Sequence, residues 1–343
     1  MLNNCNCSAG KMYKNLRNIR KLSNNYPQIP CLRKMANAQL LVLAILVLLW
    51  PPVFAAPLEN GPSFRNLPED GGGYIPADLL KRVGNPDDLF LRSHAAVVYD
   101  ERDDQVIFQR SANRKLSIAS ITKLMTAMVI IDANLDMNEL ITVVRADRDT
   151  IRYSKTRLPL GSTLSREDLL LMALVASENR AAFALARTYP GGSKAFVKAM
   201  NEKAKYLGLK NTTFADAAGL RKENASTASD LVKMVRVASQ YTLIREFTTI
   251  VKDVVIDDHT GRTIRIWNTN RLMRKDDWEI QLSKTGFTSD AGNCLVMKVR
   301  MGDRPLVIVL LNSWGTLSKY GDSNRIKHWI KNVEAKVRRL NLI

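Results

Sequence analysis

The sequence has few cysteines and few histidines, and neither residue shows the spacing of a zinc site. The three histidines, His94, His259 and His328, are far apart along the chain. The sequence also lacks a glycine-rich loop of the kind that holds nucleotide phosphates. We therefore expect neither a metal ion nor any other cofactor.

A stabilising disulfide is not expected either. Three of the four cysteines, Cys5, Cys7 and Cys31, lie in an N-terminal segment that carries the pattern of an export signal. Once that segment is removed, Cys294 is the only cysteine left, so no intramolecular disulfide can form. Cys294 begins an apolar run and is predicted to be a buried packing residue.

Acidic residues are absent from the first 55 positions, where seven basic residues occur. An apolar run from Leu40 to Trp50 follows the basic stretch and is closed by Pro51 and Pro52. The next three residues, Val53-Phe54-Ala55, place small or compact side chains at the offsets required for cleavage after Ala55. Residues 1–55 are therefore predicted to be a signal peptide, and the mature protein is predicted to be periplasmic. The apolar run is short for a membrane span. An uncleaved anchor is the alternative, and the start of translation, Met1 or Met35, stays open.

The balance of charge is strongly basic, at +18 for the whole chain. Removal of residues 1–55 takes away 7 of the 51 basic residues and none of the 33 acidic ones, which leaves +11. A basic surface can favour nucleic acid, but an export signal argues against that partner. Peptidoglycan and other anionic envelope polymers are the natural alternative. A soluble protein with no polyanionic partner is an equally open interpretation, and membrane contact is expected to be peripheral at most.

Residues 56–90 are rich in proline, glycine and asparagine and are predicted to be a flexible lead-in, whereas residues 91–343 are predicted to form one domain. Periodicity predicts strands at Ala95–Tyr99, Gln105–Gln109, Val251–Ile256, Thr263–Trp267, Glu279–Ser283, Cys294–Arg300 and Leu306–Leu311. It predicts helices from Ser120 to Asp132, after capping boxes at Ser165 and Thr227, and over Arg180–Tyr189, Lys194–Leu207 and Arg325–Leu340.

The order of these elements predicts an α+β fold. Strands at both ends of the chain would form one sheet, with a helical cluster on one side and the terminal helix on the other face. The terminal helix carries an apolar stripe with basic residues off it. It is interpreted as a helix docked on the sheet, and a helix on a membrane surface is the alternative.

Three short motifs occur in a fixed order. Ser120 and Lys123 form a Ser-x-x-Lys pair at a predicted helix start, and this spacing puts both side chains on one face. Ser177 and Asn179 form a Ser-x-Asn motif at the end of an apolar helix, and Lys284-Thr285-Gly286 lies at the end of a predicted strand. Each motif is weak alone. Together, in this order, they are the set found in penicillin-binding proteins and class A β-lactamases.

The chemistry of the first pair requires a lysine that can lose its proton. A serine hydroxyl is a poor nucleophile until a base accepts its proton. Burial and a second nearby cation both lower the pKa of a lysine. Lys284 is predicted to supply that second charge to Lys123.

The sequence resembles the low-molecular-mass penicillin-binding proteins, the serine D,D-peptidases of cell-wall maintenance. The segments around Ser120 and Lys284 carry the resemblance, which covers about residues 92–335. The Lys284 segment and the Ala291–Met297 run resemble the D-alanyl-D-alanine endopeptidases of the penicillin-binding protein 7 type. Glu178 stands where many carboxypeptidase relatives have a small residue.

The resemblance implies the penicillin-binding transpeptidase/β-lactamase-like fold, with residues 91–343 as the catalytic domain. It implies that Ser120 attacks a D-alanyl carbonyl to form an acyl-enzyme and that Lys123 is its base. Ser177 would relay a proton to the leaving amine. The implied substrate contacts come from Asn179, Lys284, Thr285 and Gly286, and the implied oxyanion hole from the backbone N–H groups of Ser120 and Phe287.

The implied substrates are peptidoglycan stem peptides, with β-lactams as covalent inhibitors. The favoured activity is cleavage of D-alanyl cross-links, because the residues after Gly286 are almost all used by the predicted strands and terminal helix. This leaves no room for the second domain of familiar carboxypeptidase relatives. D-alanyl-D-alanine carboxypeptidase activity is the alternative, and a non-catalytic protein of this fold is a further one. A class A β-lactamase is disfavoured because no Glu-x-x-Leu-Asn motif lies between Ser177 and Lys284.

Three residues near the motifs are left without a role. Arg152 and Arg157 could bind substrate, but basic loop residues are usually only solvated. Glu178 could likewise contact substrate or point to water.

Overall fold

The protein is described by a computed structural model that covers residues 74–343. The predicted signal peptide, residues 1–55, and the first part of the predicted lead-in lie outside the described residues. The strands are β1 Ser93–Asp100, β2 Gln105–Arg110, β3 Leu116–Ser117, β4 Leu140–Thr142, β5 Thr163–Ser165, β6 Ala225–Ser226, β7 Lys252–Ile256, β8 Thr263–Trp267, β9 Glu279–Thr288, β10 Gly292–Met301 and β11 Arg304–Ser313.

The α-helices are distributed along the whole described part of the chain. They are α1 Ala77–Val83, α2 Thr122–Asp132, α3 Arg166–Val175, α4 Asn179–Arg187, α5 Gly192–Tyr206, α6 Ala228–Ala238, α7 Thr242–Thr249 and α8 Ser318–Arg339. Short 3₁₀ turns lie at Pro86–Asp88, Ala119–Ile121, Arg145–Asp147 and Arg271–Arg274.

The central sheet is built from both ends of the chain, as predicted. Its order is β2-β1-β11-β10-β9, and every neighbouring pair is antiparallel. One row across it runs from Val97 through Val309 and Val296 to Lys284. Strand β9 is an edge strand, so Lys284-Thr285-Gly286 lies where an extended peptide can approach.

Helix α8 covers one face of the sheet. Its predicted stripe is buried, and the residues are Ile326, Trp329, Ile330, Val333 and Val337. They join the core cluster of the sheet, so the stripe faces protein and not a membrane surface. Within residues 74–343 no helix is long and apolar enough to cross a membrane.

The helical cluster contains two helices that are buried on nearly all sides, α2 and α3. Both predicted capping boxes begin helices. The hydroxyl of Ser165 accepts from the Asp168 N–H, and that of Thr227 accepts from the Asp230 N–H. Helix α3 ends at Val175, so the Ser177 and Asn179 motif directly follows its C-terminal end.

Three parts of the structure differ from the sequence predictions. Residues 74–90 are not a flexible lead-in, because apolar side chains such as Ile75, Leu80 and Leu89 are buried in the core below the sheet. Helix α7 was not predicted. Its sequence is rich in β-branched residues, but two buried apolar side chains hold it on the core, Ile244 and Phe247.

The third difference concerns the β7–β8 pair. Both strands lie where the periodicity predicts them, but they form a separate two-stranded hairpin and not part of the main sheet. The hairpin connects to the site through its C-terminal end, because Thr269 N–H donates to Val175 O, at the end of α3 (3.2 Å).

Candidate active site

Ser120 lies in a 3₁₀ turn immediately before α2, with its side chain half-buried. The residue before it, Ala119, has a φ of +46°, in the left-handed region that favours glycine. Gly219 packs against this turn so closely that a Cβ atom on it would lie 1.9 Å from Ala119 O. These contacts hold the strained backbone in a conformation that leaves Ser120 partly exposed.

Lys123 is fully buried in the first turn of α2. Its Nζ donates to Ser120 Oγ at 2.9 Å, to Asn179 Oδ1 at 2.7 Å and to Ala218 O at 2.8 Å. The Ser-x-x-Lys pair and the Asn179 side chain are therefore brought together by direct contacts. A neutral Lys123 has a lone pair that can accept the Ser120 proton.

Burial lowers the pKa of Lys123 to about 7, although the charges of Asp216, Glu178 and Asp149 oppose this shift. The sequence predicts two causes for this lowering, burial and the charge of Lys284. Burial is the largest cause for the pKa of Lys123, and the mutual repulsion of the two ammonium groups is seen in the pKa of Lys284. Burial first, then the charges of Lys123 and Lys319, hold the pKa of Lys284 well below its ordinary value.

Ser177 follows α3 and also has a left-handed backbone, with a φ of +57°. Its hydroxyl accepts from Lys284 Nζ at 2.8 Å, and the same Nζ donates to Thr285 O at 3.1 Å. The second and third motifs are therefore joined side by side. Ser177 and Lys284 form one hydrogen-bonded pair beside the pair of Ser120 and Lys123.

Gly286 allows β9 to approach the 3₁₀ turn Ala119–Ile121, which carries Ser120 and is called the nucleophile turn below. A Cβ atom on this glycine would lie 2.8 Å from Ile118 O and 3.1 Å from the backbone nitrogen of Ser120. Any side chain would push the strand away from the turn. The next residue, Phe287, has a side chain that is 66% exposed. The backbone segment predicted to complete the oxyanion hole thus runs directly beside Ser120.

A turn around Asp216, which the motifs do not predict, holds Lys123 from the other side. The Asp216 carboxylate accepts from the backbone N–H groups of residues 218–221 and from Asn224 Nδ2. The turn presents Ala217 O to Thr126 and Ala218 O to Lys123. An aspartate three residues before a glycine is a turn signal that could have drawn attention to this segment.

The open questions about Glu178 and Arg152 have structural answers. Glu178 is only 3% exposed and accepts from Thr156 Oγ1 at 2.6 Å and from the Arg157 N–H at 3.0 Å. Arg152 donates to Leu220 O and Ser289 Oγ and forms an ion pair with Asp290. Both residues therefore fix the loop of residues 152–157, which contacts Asn179 through Ser154. The described residues contain no group of three or more His, Cys, Asp or Glu side chains that could hold a metal ion.

A family model described as D-alanyl-D-alanine carboxypeptidase, peptidase family S11, matches residues 82–315. The chain belongs to peptidase family S11. This membership makes it a hydrolase of the serine D,D-peptidase class, in agreement with the resemblance and the α+β fold. The matched segment contains all three motifs.

Relatives of this S11 chain are found among curated proteins and solved structures. It is 41% identical to a D-alanyl-D-alanine endopeptidase of Pseudomonas aeruginosa, over 75% of this chain and 83% of the relative. It is 42% identical to a protein of the same description from Escherichia coli, over 70% of this chain and 78% of the relative. The Streptomyces K15 DD-transpeptidase structure is 25% identical, with a TM-score of 0.65, over 71% of this chain and 98% of that one.

Proposed function

We propose that this protein is a serine D,D-endopeptidase that cleaves D-alanyl cross-links in peptidoglycan through an acyl-enzyme on Ser120. The observation that carries this proposal is the buried Lys123 Nζ, 2.9 Å from Ser120 Oγ. A lysine with a pKa of about 7 is neutral in a large fraction of molecules at neutral pH. It is therefore able to act as the base for a serine nucleophile.

The acylation step uses both hydrogen-bonded pairs. Lys123 accepts the Ser120 proton while Oγ attacks the D-alanyl carbonyl carbon. The backbone N–H groups of Ser120 and Phe287 stabilise the oxyanion of the tetrahedral intermediate. Ser177 relays the proton that Lys123 has accepted to the leaving amine as the peptide bond breaks, and the acyl group stays on Ser120. Water then attacks the ester, loses its proton to the same groups and releases Ser120.

Substrate binding is assigned to the edge of β9. An extended peptide pairs with this edge, which Gly286 brings close to Ser120. Lys284 and Thr285 bind the carboxylate next to the bond that is cleaved, and a cation and a hydroxyl are suited to that group. The Asn179 side chain bonds the substrate amide while its Oδ1 holds Lys123. β-Lactams present a strained amide beside a carboxylate, so they acylate the same serine.

The preference for cross-links is supported by the curated relatives described as D-alanyl-D-alanine endopeptidases. It is also supported by the motif segments, which resemble that subgroup. The test gives residues 56–343 a cross-linked muropeptide dimer and a monomeric pentapeptide in parallel, with product masses as the measurement. We expect cleavage of the dimer. Release of free D-alanine from the pentapeptide with the dimer left intact would make the protein a carboxypeptidase.

The Ser120→Ala variant is the control for both reactions. It should bind fluorescent penicillin without forming a covalent adduct and should leave the dimer intact, because no other hydroxyl replaces the nucleophile. Its melting temperature should stay close to that of the wild type. Covalent labelling of this variant would remove Ser120 from the mechanism.

We also propose that the protein acts in the periplasm, where its polymer substrate is found. The supporting pattern is the basic and apolar segment of residues 1–55. Cell fractionation of the full chain and of a chain that begins after residue 55 tests this. The full chain should appear processed in the periplasmic fraction, and an unprocessed chain in the cytoplasm would contradict the proposal.

A further inference from the structure

An exposed row of side chains runs along β8 and continues past its end. From Ile264 to Arg271 exposure alternates strictly, so that every second residue faces outward. The outward residues form what we name the Thr269 strip, and they are Arg265, Trp267, Thr269 and Arg271. Trp267 is 43% exposed, which leaves a flat apolar surface in the middle of the row.

The Thr269 strip is attached directly to the proposed carboxylate subsite. Thr285 Oγ1 donates to Thr269 Oγ1 at 2.6 Å. Tyr320, on α8, donates to Thr269 O at 3.0 Å, and Thr269 N–H donates to Val175 O at 3.2 Å. Thr269 is therefore fixed from three sides, although its residue surface is exposed. A ligand that reaches Thr285 along β9 meets the strip next.

The strip is basic along its length. From Gly261 to Arg274 the chain has four arginines and no acidic residue. Lys252 lies opposite Trp267 in the hairpin register and adds a further cation. Arg271 and Arg274 both lie near Tyr320, where their charges oppose the increase in the pKa of Tyr320 that burial causes. The charge of this surface is complementary to an acidic peptide.

The two substrates of this enzyme class differ in what they place at this position. The leaving group of a monomeric pentapeptide is a free amino acid that ends at the carboxylate subsite. The leaving group of a cross-linked dimer continues from that point into a second peptide arm, which carries carboxylates. The distance from Thr269 to Arg265 is about 13 Å along an extended chain, so three or four residues of an arm can span it.

We propose that the Thr269 strip is the leaving-group-side subsite that binds the acidic second peptide arm of a cross-linked substrate. This inference rests on the proposed endopeptidase function and names the part of the surface that selects the dimer. Arg271 and Arg265 pair with carboxylates of the arm on either side of Thr269. Trp267 provides an apolar face against which the arm packs.

The experiment compares Arg271→Gln, Arg265→Gln and Trp267→Ala with a matched control, Arg338→Gln on the exposed side of α8. The measured quantity is the ratio of kcat/KM for dimer cleavage to the rate constant for penicillin acylation. Penicillin has no second arm. The ratio should fall about tenfold in Arg271→Gln, as expected for the loss of one charge-assisted hydrogen bond, and stay unchanged in the control.

A second experiment measures binding of the intact dimer to Ser120→Ala, alone and combined with each strip variant. Because it does not depend on cleavage, this experiment separates failure of the inference from failure of the proposed function. Weaker binding by the strip variants, with a smaller dependence on salt, is expected. Equal dimer binding and an unchanged ratio in all three strip variants would overturn the inference. An equal fall of dimer cleavage and acylation would also overturn it, since the strip would then act on the catalytic groups.

Discussion

Among single residues, Lys123 carries the most specific expectation. Because its pKa is about 7, the fraction of neutral base increases as the pH rises through that value. Penicillin acylation should therefore be slow at pH 5, rise through pH 7 and then level off or fall as a second group titrates. Lys123→Arg should lose acylation by about 10²–10⁴-fold, because arginine keeps the charge but does not release a proton at usable pH.

The matched control for Lys123→Arg is Lys203→Arg, on α5. Burial acts to lower the pKa of Lys203, but its bonds to Asp132 and Tyr241 outweigh burial and raise that pKa above its ordinary value. Lys203 is therefore charged at neutral pH, as arginine is. Its replacement by arginine should preserve both activity and pH profile. Normal acylation by Lys123→Arg would mean that the base is another group.

Asp216 is the second residue with a testable electrostatic role. Its charge raises the pKa of Lys123, in opposition to the larger effect of burial. Asp216→Asn removes that charge, so the pH at which acylation rises should move below that of the wild type. The change also disturbs hydrogen bonds to a row of backbone N–H groups, at an expected cost of about 3 kcal/mol in the free energy of unfolding.

Asp257→Asn is the control that separates the loss of stability from the shift of the pH profile. Asp257 also holds a turn, since it accepts from the N–H groups of Thr163 and His259, but it is not among the groups that act on Lys123. This variant should lose stability without a shift in the pH profile. An unshifted profile in Asp216→Asn as well would show that the Asp216 charge does not act on Lys123.

The sequence motifs predicted the side chains of the candidate site, but not the turn and the packing that surround Lys123. Ser120, Lys123, Ser177, Asn179 and Lys284 could be selected because the order of three short motifs is specific. The spacing of Asp216 and Gly219 signals a turn, but the contact of that turn with Lys123 was not predictable, because the turn folds back over a long stretch of chain. The complete burial of Lys123, which sets its pKa, depends on the packing of several elements and is not visible in a local pattern.

Among structural elements, β9 and the nucleophile turn are in close contact because residue 286 is a glycine. A methyl group at this position meets backbone atoms of Ile118 and Ser120, which cannot move independently of the turn. Gly286→Ala should displace β9 and lower acylation by about 100-fold, with an expected loss of stability of about 1–3 kcal/mol. Acylation rates and urea unfolding measure the two effects.

Gly321→Ala, in α8, is the comparison for Gly286→Ala. A Cβ atom there meets only the end of the Arg325 side chain, 3.3 Å away, and alanine favours a helix. This variant should keep full acylation and unfold at a slightly higher urea concentration. Wild-type acylation by Gly286→Ala would contradict the assignment of β9 as a wall of the site.

Local sequence signals predicted most elements, and the failures have physical reasons. The Ser165 and Thr227 caps and the stripe of α8 were readable because each depends on a few neighbouring residues. Helix α7 was missed because tertiary contacts, not propensity, hold it. The separation of the β7–β8 hairpin from the main sheet was not predictable, since periodicity identifies strands but not their partners.

For the whole molecule, the sheet depends on joining two distant parts of the chain. Asp322, fully buried on α8, accepts from the backbone N–H groups of Arg92 and Ser93 and from the Ser93 hydroxyl. These bonds attach the terminal helix to the start of β1. The helix therefore contributes to the stability of the sheet that carries Lys284, even though it lies on the opposite side from the nucleophile turn.

Asp322→Ala tests this role of α8. The change removes the carboxylate that accepts from the Arg92 and Ser93 N–H groups and from the buried Ser93 hydroxyl, so the free energy of unfolding should fall by about 3 kcal/mol. Acylation by the folded fraction should remain close to that of the wild type, because Asp322 makes no contact with the motif residues. Lys331→Ala, at an exposed position of the same helix, should change neither quantity. If Asp322→Ala kept wild-type stability, the hydrogen bonds between Asp322 and the start of β1 would not be what attaches α8 to the sheet.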